Sequence, residues 1–82
     1  MIIPVPLRRD LHGHVHRLGG PPTVADELDL FASGTLQSMQ LLELITAIED
    51  QFAITIDERD VAAGRLRSII TIAALIGERR RS

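Results

Sequence analysis

The strongest hydrophobic pattern in the chain lies within residues 31–52, FASGTLQSMQLLELITAIEDQF. From Leu41 onward, apolar residues recur every three or four positions, a spacing that gathers them on one face of a helix. The polar residues fall mostly on the opposite face. We expect Gly34 to close the preceding loop and the helix to open near Ser38. The apolar positions are Leu41, Leu44, Ile45, Ile48 and Phe52, and the polar positions are Gln40, Glu43, Thr46, Glu49 and Asp50.

Two more segments show helical spacing. Residues 7–18 are predicted to form the first helix, although Gly13 weakens it by about 1 kcal/mol relative to alanine. The GGPP sequence that follows is expected to end this helix. The last helix is predicted to open with Ser68 as its cap and to stop at Gly77.

Both ends of the chain are predicted to lie outside the helices. Residues 1–6 are expected to form an extended lead-in, because Pro4 and Pro6 lack the N–H group that a helix interior needs. Residues 78–82, ERRRS, are expected to form a frayed basic tail. Its arginines would follow the C-terminus of a helix, where cations are favoured.

The first connection is long for so small a domain. A short helical turn is predicted within it, with Thr23 as cap and Asp26 three residues later, in a capping-box pattern. Three apolar residues are expected to hold the remainder of this connection against the core. They are Leu28, Leu30 and Phe31.

The second connection follows the central helix. Ile54 and Ile56 alternate as in a strand, but the chain offers no second strand to pair with them. We therefore predict a loop that inserts both side chains into a helical core. Asp57 is predicted to cap a short helix, with Asp60 three residues on, and Gly64 to close it.

These elements predict an all-α fold. It is a small four-helix bundle, with three main helices, one short helix and a long first loop, and residues 1–82 form a single domain. A chain of this length buries only about 60–65% of its unfolded surface. The hydrophobic fraction of 45% suits such a core, and the aromatic fraction of 2% leaves Leu, Ile, Val and Ala to fill it.

Charge is distributed unevenly along the chain. Residues 1–22 carry three Arg and one Asp, residues 23–60 carry nine acids and one Arg, and residues 61–82 carry five Arg and one Glu. An acidic centre therefore lies between basic ends. Such a surface attracts basic partners and repels nucleic acid. The alternative is that these acids form an ordinary solvated surface.

The first helix also carries His12, His14 and His16. A metal site needs imidazoles that converge on one point, and on a helix only His12 and His16 share a face. No carboxylate nearby completes a ligand set. We therefore interpret the histidines as a solvated surface and predict no metal.

Several functional classes are disfavoured by the sequence. The most apolar segment, SIITIAALIG, is about half the length of a membrane span, and the N-terminal residues have the wrong order for a signal peptide. We therefore expect a cytoplasmic protein with no membrane or nucleic-acid partner. Neither a Ser-His-Asp arrangement nor a phosphate loop is present, so no catalytic residue and no enzyme activity are predicted. Cysteine is absent, so thiol chemistry would need a thiol from a cofactor.

Residues 30–61, LFASGTLQSMQLLELITAIEDQFAITIDERDV, resemble the centre of acyl carrier and peptidyl carrier proteins. That family has an apolar-Phe pair, a Gly, Asp-Ser-Leu or Asp-Ser-Met, a helix ending in Glu-x-x-Phe, and Ile-x-Ile before an acidic short helix. The likeness spans residues 28–76, since the last helix is also similar. One position departs from the family pattern, because Gln37 stands where the family has Asp. The matching pieces are Leu30-Phe31, Gly34, Gln37-Ser38-Met39, Glu49 to Phe52, and Ile54-Thr55-Ile56.

The resemblance implies a carrier. In that family a phosphopantetheinyl transferase moves 4′-phosphopantetheine from coenzyme A onto the serine hydroxyl, here Ser38. The thiol of the arm then holds an acyl or aminoacyl group as a thioester, in fatty acid, polyketide or nonribosomal peptide biosynthesis. A serine at a helix N-terminus suits this role, because unpaired N–H groups and the helix dipole favour a phosphodiester. The alternative is that Ser38 is a plain helix cap.

The partners that the resemblance implies are the transferase and the enzymes that load and transfer the acyl or aminoacyl group. The chain itself is expected to be a monomer. Acidic side chains around the central helix would attract basic patches on these enzymes and raise association rates more than affinity. The residues expected to contribute to partner recognition are Gln37, Met39, Glu43, Glu49, Asp50 and Asp57.

Two other classes of function remain open. One is a degenerate carrier-like protein that is never modified and acts through the same helix as a structural partner, which Gln37 favours. The other is an unrelated helical interaction module, such as a small regulator that dimerises through its apolar faces.

Overall fold

The structure is a computed structural model that describes residues 2–81. It confirms the all-α prediction of three main helices and one short helix, with no strand among the described residues. A 3-10 turn, here named the Ser38 turn, runs directly into the second helix. The elements are α1 (Val5–Arg17), the Ser38 turn (Ser38–Gln40), α2 (Leu41–Phe52), α3 (Glu58–Ala62) and α4 (Ile69–Arg81).

Helix α1 begins earlier than predicted. Its first residue is Val5, so Pro6 lies within the first turn and the extended lead-in over residues 1–6 was wrong for its last two positions. Proline is tolerated there because the first N–H groups of a helix have no intrahelical partner. Met1 lies outside the described residues. The predicted end of the helix is confirmed, since Leu18 is the C-cap and the GGPP sequence follows.

Helix α4 continues past Gly77, so the predicted stop and the frayed tail were wrong. A glycine in a helix interior costs only about 1 kcal/mol, which tertiary contacts can exceed. Arg79 donates a hydrogen bond to the buried carboxylate of Asp60, with 2.5 Å between Nη2 and Oδ1. The guanidinium of Arg80 lies 5.9 Å from the centre of the Phe52 ring. These contacts hold the last turns in place, while the final residue lies outside the described residues.

The core is formed by one face of each main helix and by the connections. Helix α4 contributes the most, since five of its residues are buried. Ile56 is buried and Ile54 packs against the core, which confirms the predicted insertion of this loop. The fully buried large side chains are Leu11, Val15, Leu30, Leu36, Leu44, Ile48, Ile69, Ile72, Leu75 and Ile76.

The two local caps are confirmed. Asp57 caps α3, since its Oδ1 accepts hydrogen bonds from the N–H groups of Arg59 and Asp60, and the Asp60 carboxylate accepts one from Asp57 N–H in return. Ser68 caps α4, since its hydroxyl accepts from the N–H of Thr71 at 3.2 Å. Both caps act within four residues of sequence.

The predicted helical turn at Thr23 is absent. Thr23 is exposed and makes no cap, and the residues around it form bends and turns. The carboxylate of Asp26 instead binds side chains of α1, with 3.0 Å to Arg8 Nε and 3.2 Å to His12 Nε2. The capping-box prediction was wrong because Arg8 and His12 on α1 bind this carboxylate instead.

Leu30 holds the long connection against the core, as predicted. Its side chain is fully buried, and its N–H donates to the carbonyl of Arg67 at 2.6 Å. Its own carbonyl accepts from the N–H of Leu36 at 2.7 Å. Phe31 packs on the core edge, and Leu28 is half-buried. The two backbone hydrogen bonds of Leu30 fix the path of the chain just before the Ser38 turn.

The solvated-surface interpretation was wrong for two of the three histidines. His14 is buried and hydrogen-bonds through Nε2 to the side-chain oxygen of Gln51 on α2. Gln51 also donates to the Asp10 carboxylate at 2.9 Å, so it bridges α1 and α2 at one end of the pair. The ring of His12 is largely buried beside Asp26, and only His16 is exposed. Residues 2–81 contain no group of three side chains that could hold a metal ion.

Candidate functional site

The chain reaches the candidate site through a loop that the core anchors. Gly34 adopts a positive φ of 80°, as its predicted role in closing the loop requires. Leu36 is fully buried, and Gln37 has the extended backbone that precedes a helix. Ser38 then begins the turn that continues into α2. The predicted opening of the helix near Ser38 is therefore confirmed.

Ser38 differs from the other serines that the structure describes. Its side chain is exposed, and its hydroxyl forms no hydrogen bond with residues 2–80. The hydroxyl of Ser33 lies 2.8 Å from that of Thr35, and Ser68 is buried and capping α4. Ser38 therefore presents an exposed hydroxyl at the head of α2, and the N-cap position is held by Gln37, so the alternative that Ser38 is a plain helix cap finds no support.

The cap of the Ser38 turn is built from the flanking residues. Gln37 occupies the N-cap position, and the N–H of Gln40 donates to its carbonyl at 2.8 Å. The side-chain oxygen of Gln40 accepts from the N–H of Gln37, also at 2.8 Å. Ser38 lies between these two residues, so their reciprocal contacts define its backbone.

Gln40 also connects the turn to α1. Its side-chain nitrogen donates to the carbonyl of Leu18, the C-cap residue of α1. This role was missed from the sequence, where Gln40 was assigned only to the polar face. A Gln at the third helical position, where a capping box has Glu or Gln, was the one available signal.

Two shallow grooves lie beside and beyond Ser38. The first has a volume of 650 Å³ and is lined mainly by polar residues, among them Gln37, Gln40 and Glu43. The second, of 480 Å³, runs along α2 and is lined by Glu43, Leu42 and Asp50 among others. Glu43 lines both, so the two grooves adjoin at the head of α2, and a strip of surface runs from Met39 along α2 to Asp50.

Two large apolar side chains lie exposed on this strip. Met39 is 78% exposed and Leu42 is 71% exposed. Met39 was predicted to contribute to partner recognition, but Leu42 was not, since it stands beside the apolar face in sequence. Burying one such side chain against a partner is favourable by about 1.5–3 kcal/mol.

The predicted acidic residues divide into two groups. Glu43 and Asp50 are exposed and form no ion pair or hydrogen bond with the described residues. Glu49 is half-buried, and its carboxylate accepts from the N–H of Ile56 at 2.9 Å. Asp57 caps α3. The structure therefore gives Glu49 and Asp57 internal hydrogen-bonding roles that the recognition prediction did not include.

A comparison with known families agrees with this arrangement. The family model described as the phosphopantetheine attachment site matches residues 15–76, most of the chain. The chain belongs to this family. Domains of the family are in general carriers rather than catalysts, and this carrier domain takes covalently bound 4′-phosphopantetheine. A comparison with curated proteins found no match, and neither did a comparison with solved structures.

The family assignment confirms the resemblance, the cofactor and, in general terms, the partners. A carrier domain interacts with the enzyme that modifies it and with biosynthetic enzymes. No helix within residues 2–81 has the length and apolar character needed to span a membrane.

The residues around Ser38 fit the cofactor. The exposed hydroxyl can form a phosphodiester, and the open groove beside it leaves room for the arm. The first N–H groups of a helical segment lack intrahelical partners and favour a phosphate. When attached, the arm supplies a terminal thiol that this cysteine-free chain does not have.

Proposed function

We propose that Ser38 is the attachment residue of this carrier domain, and that the chain carries an acyl or aminoacyl group as a thioester for biosynthetic enzymes. One observation gives the strongest support to the assignment of Ser38. Ser38 is the serine within residues 2–81 whose hydroxyl is both exposed and free of hydrogen bonds. It also stands at the head of α2, inside the residues that match the family.

In the modification reaction the chain supplies the nucleophile. Ser38 Oγ attacks the phosphorus of coenzyme A that bears the pantetheine. A P–O bond forms to Oγ, the P–O bond of the diphosphate breaks, and adenosine 3′,5′-bisphosphate leaves with its electron pair. No titratable side chain among residues 2–80 hydrogen-bonds to this hydroxyl. We expect the base that takes its proton to come from the transferase.

The docking surface that we propose is the strip along α2. Met39 and Leu42 offer exposed apolar contacts, and Glu43 and Asp50 offer carboxylates that pair with none of the described residues. Charge of this kind raises the rate of encounter with a basic partner and still permits rapid release. We expect the cytoplasm as the location, since the donor coenzyme A and the partner enzymes meet the domain there.

The test is modification in vitro. The chain is incubated with coenzyme A and a broad-specificity phosphopantetheinyl transferase, and its intact mass is measured. We expect a gain of one phosphopantetheine in the wild type and in Ser33→Ala, and none in Ser38→Ala. Modification of Ser38→Ala would show that the residue is wrongly assigned.

A second candidate function is that of an unmodified carrier-like partner. Gln37 is the feature that favours it, since this exposed N-cap residue carries no charge where the family has Asp. If the wild type gains no mass with several transferases while remaining folded, this second function replaces the first.

A further inference from the structure

We propose that Gln40 is a positioning residue for the modification of Ser38. Its single amide caps two helices at once and thereby holds the Ser38 turn in the conformation that the transferase meets. The inference rests on the proposed function, because it concerns the same site. It adds a residue that lies outside the predicted partner-recognition set.

The first contact is with the backbone on the other side of Ser38. Gln40 Oε1 accepts the N–H of Gln37 at 2.8 Å. The backbone N–H of Gln40 donates in return to the Gln37 carbonyl at 2.8 Å. Ser38 and Met39 lie between these two bonds, so both bonds must form for the turn to hold one shape.

The second contact is with the end of α1. The last carbonyls of a helix have no intrahelical partner and need one from elsewhere. Gln40 Nε2 donates to the carbonyl of Leu18, the C-cap residue of α1. Leu18 and Gln40 are 22 positions apart in sequence, so this bond fixes the Ser38 turn to the body of the domain.

The chemistry of the side chain explains why glutamine stands here. An amide has an acceptor and a donor on one carbon, whereas a carboxylate only accepts and an ammonium group only donates. The two partners also fix the orientation of the amide. The N–H of Gln37 requires Oε1 on its side, and the carbonyl of Leu18 requires Nε2 on the other. Glutamate would keep the bond to Gln37, and lysine would keep the bond to Leu18.

The chain also contains a matched control. Gln51, at the far end of α2, likewise bridges α2 and α1, through His14 and Asp10. It lies 13 positions from Ser38 in sequence. Replacing Gln51 therefore removes a similar interhelical bridge without touching the Ser38 turn.

The experiment compares Gln40→Ala, Gln40→Glu and Gln40→Lys with Gln51→Ala. Steady-state kinetics with the transferase give kcat and KM for each, and hydrogen exchange reports on the amide of Gln37, which donates to the Gln40 side chain, and on the backbone amide at position 40, which donates to the Gln37 carbonyl. We expect Gln40→Ala to lower kcat by about tenfold or more, since a small misplacement of a reacting group is costly. KM should change little, because the exposed apolar and acidic side chains of the strip along α2 are unchanged. Gln40→Glu should recover part of the loss, and Gln51→Ala should stay within about twofold of the wild type.

Two results would overturn the proposal. One is a Gln40→Ala protein with wild-type kcat and unchanged exchange of the Gln37 amide. The other is an equal fall in kcat for Gln40→Ala and Gln51→Ala at equal loss of thermal stability, which would assign the effect to the fold. If Gln40→Ala does not fold, Gln40→Glu gives the same comparison. If the wild type is not modified, the proposed function fails separately, and the exchange rates still decide whether Gln40 holds the turn.

Discussion

The carboxylate of Glu49 accepts a hydrogen bond from the backbone N–H of Ile56, with 2.9 Å between Oε2 and the nitrogen. The bond joins the last turn of α2 to the loop that inserts Ile56 into the core. Glu43 and Asp50, on the same helix, make no such bond with the described residues. Three acids that look alike in sequence therefore have two different roles.

Glu49 should matter for stability. Glu49→Ala leaves the N–H of Ile56 without its charged acceptor, and a hydrogen bond to a charged group contributes about 1.5–3 kcal/mol. We expect the free energy of unfolding to fall by about 1–2 kcal/mol, because the site is half-buried. Urea denaturation measures it, with Glu43→Ala as the control, for which we expect a change within about 0.5 kcal/mol. Equal losses in the two variants would contradict this role.

Glu43 and Asp50 should matter for encounter with the transferase. Reversing both to Lys should leave stability within about 1 kcal/mol, since exposed substitutions cost little. The rate of Ser38 modification at low salt should fall, and the difference from wild type should shrink as salt screens the charges. The check is kcat/KM measured across ionic strength. A difference that does not depend on salt would count against electrostatic docking.

Gln37→Asp restores the residue that the family has before the serine. An aspartate at this exposed N-cap can accept an N–H of the turn and carries a charge that suits the helix N-terminus. We expect it to be neutral or to stabilise the domain by up to about 1 kcal/mol, and to speed modification of Ser38 by a common transferase. Thr35, two residues before Gln37, is no substitute for such a cap, because its hydroxyl hydrogen-bonds with that of Ser33. Equal rates for wild type and variant would point to a dedicated transferase.

The pair formed by Asp60 and Arg79 should make stability depend on acid pH. Burial raises the pKa of Asp60, but hydrogen bonds from Arg79 and from the N–H of Asp57 lower it by more, so the pKa lies below its usual value. A carboxyl whose pKa is lowered in the folded state adds stability above its unfolded pKa of about 3.9. That contribution is lost as pH falls through the folded pKa.

We therefore expect the wild type to lose stability below about pH 4, and Asp60→Asn to show a flatter pH profile. Arg79→Ala should destabilise the domain near neutral pH, because it leaves a buried carboxylate with fewer donors. Thermal melts from pH 2.5 to 7 test both. If wild type and Asp60→Asn lose stability in parallel over this range, another group controls acid unfolding. The first other carboxyl to test is Asp26. Burial raises the pKa of Asp26, but its hydrogen bonds with Arg8 and His12 lower it by more.

The sequence by itself determined the features that depend on neighbouring residues. The spacing of apolar residues in α2 predicted its buried face, and the caps at Asp57 and Ser68 were predicted because a cap bonds within a few positions. Ser38 was selected by a local motif as well. Such features follow from helical geometry and from hydrogen bonds between residues that are close in sequence.

Only the tertiary structure decided the roles that depend on distant partners. Arg79 meets Asp60 across 19 positions, which extends α4 beyond the glycine where local rules had ended it. His14 is buried because Gln51 faces it from α2. Gln40 donates a hydrogen bond to the carbonyl of Leu18. The sequence shows only that Gln40 is a polar residue on a helix and does not indicate this partner. These partners meet only after the helices pack, because their hydrogen bonds depend on the distance between helices and not on sequence spacing.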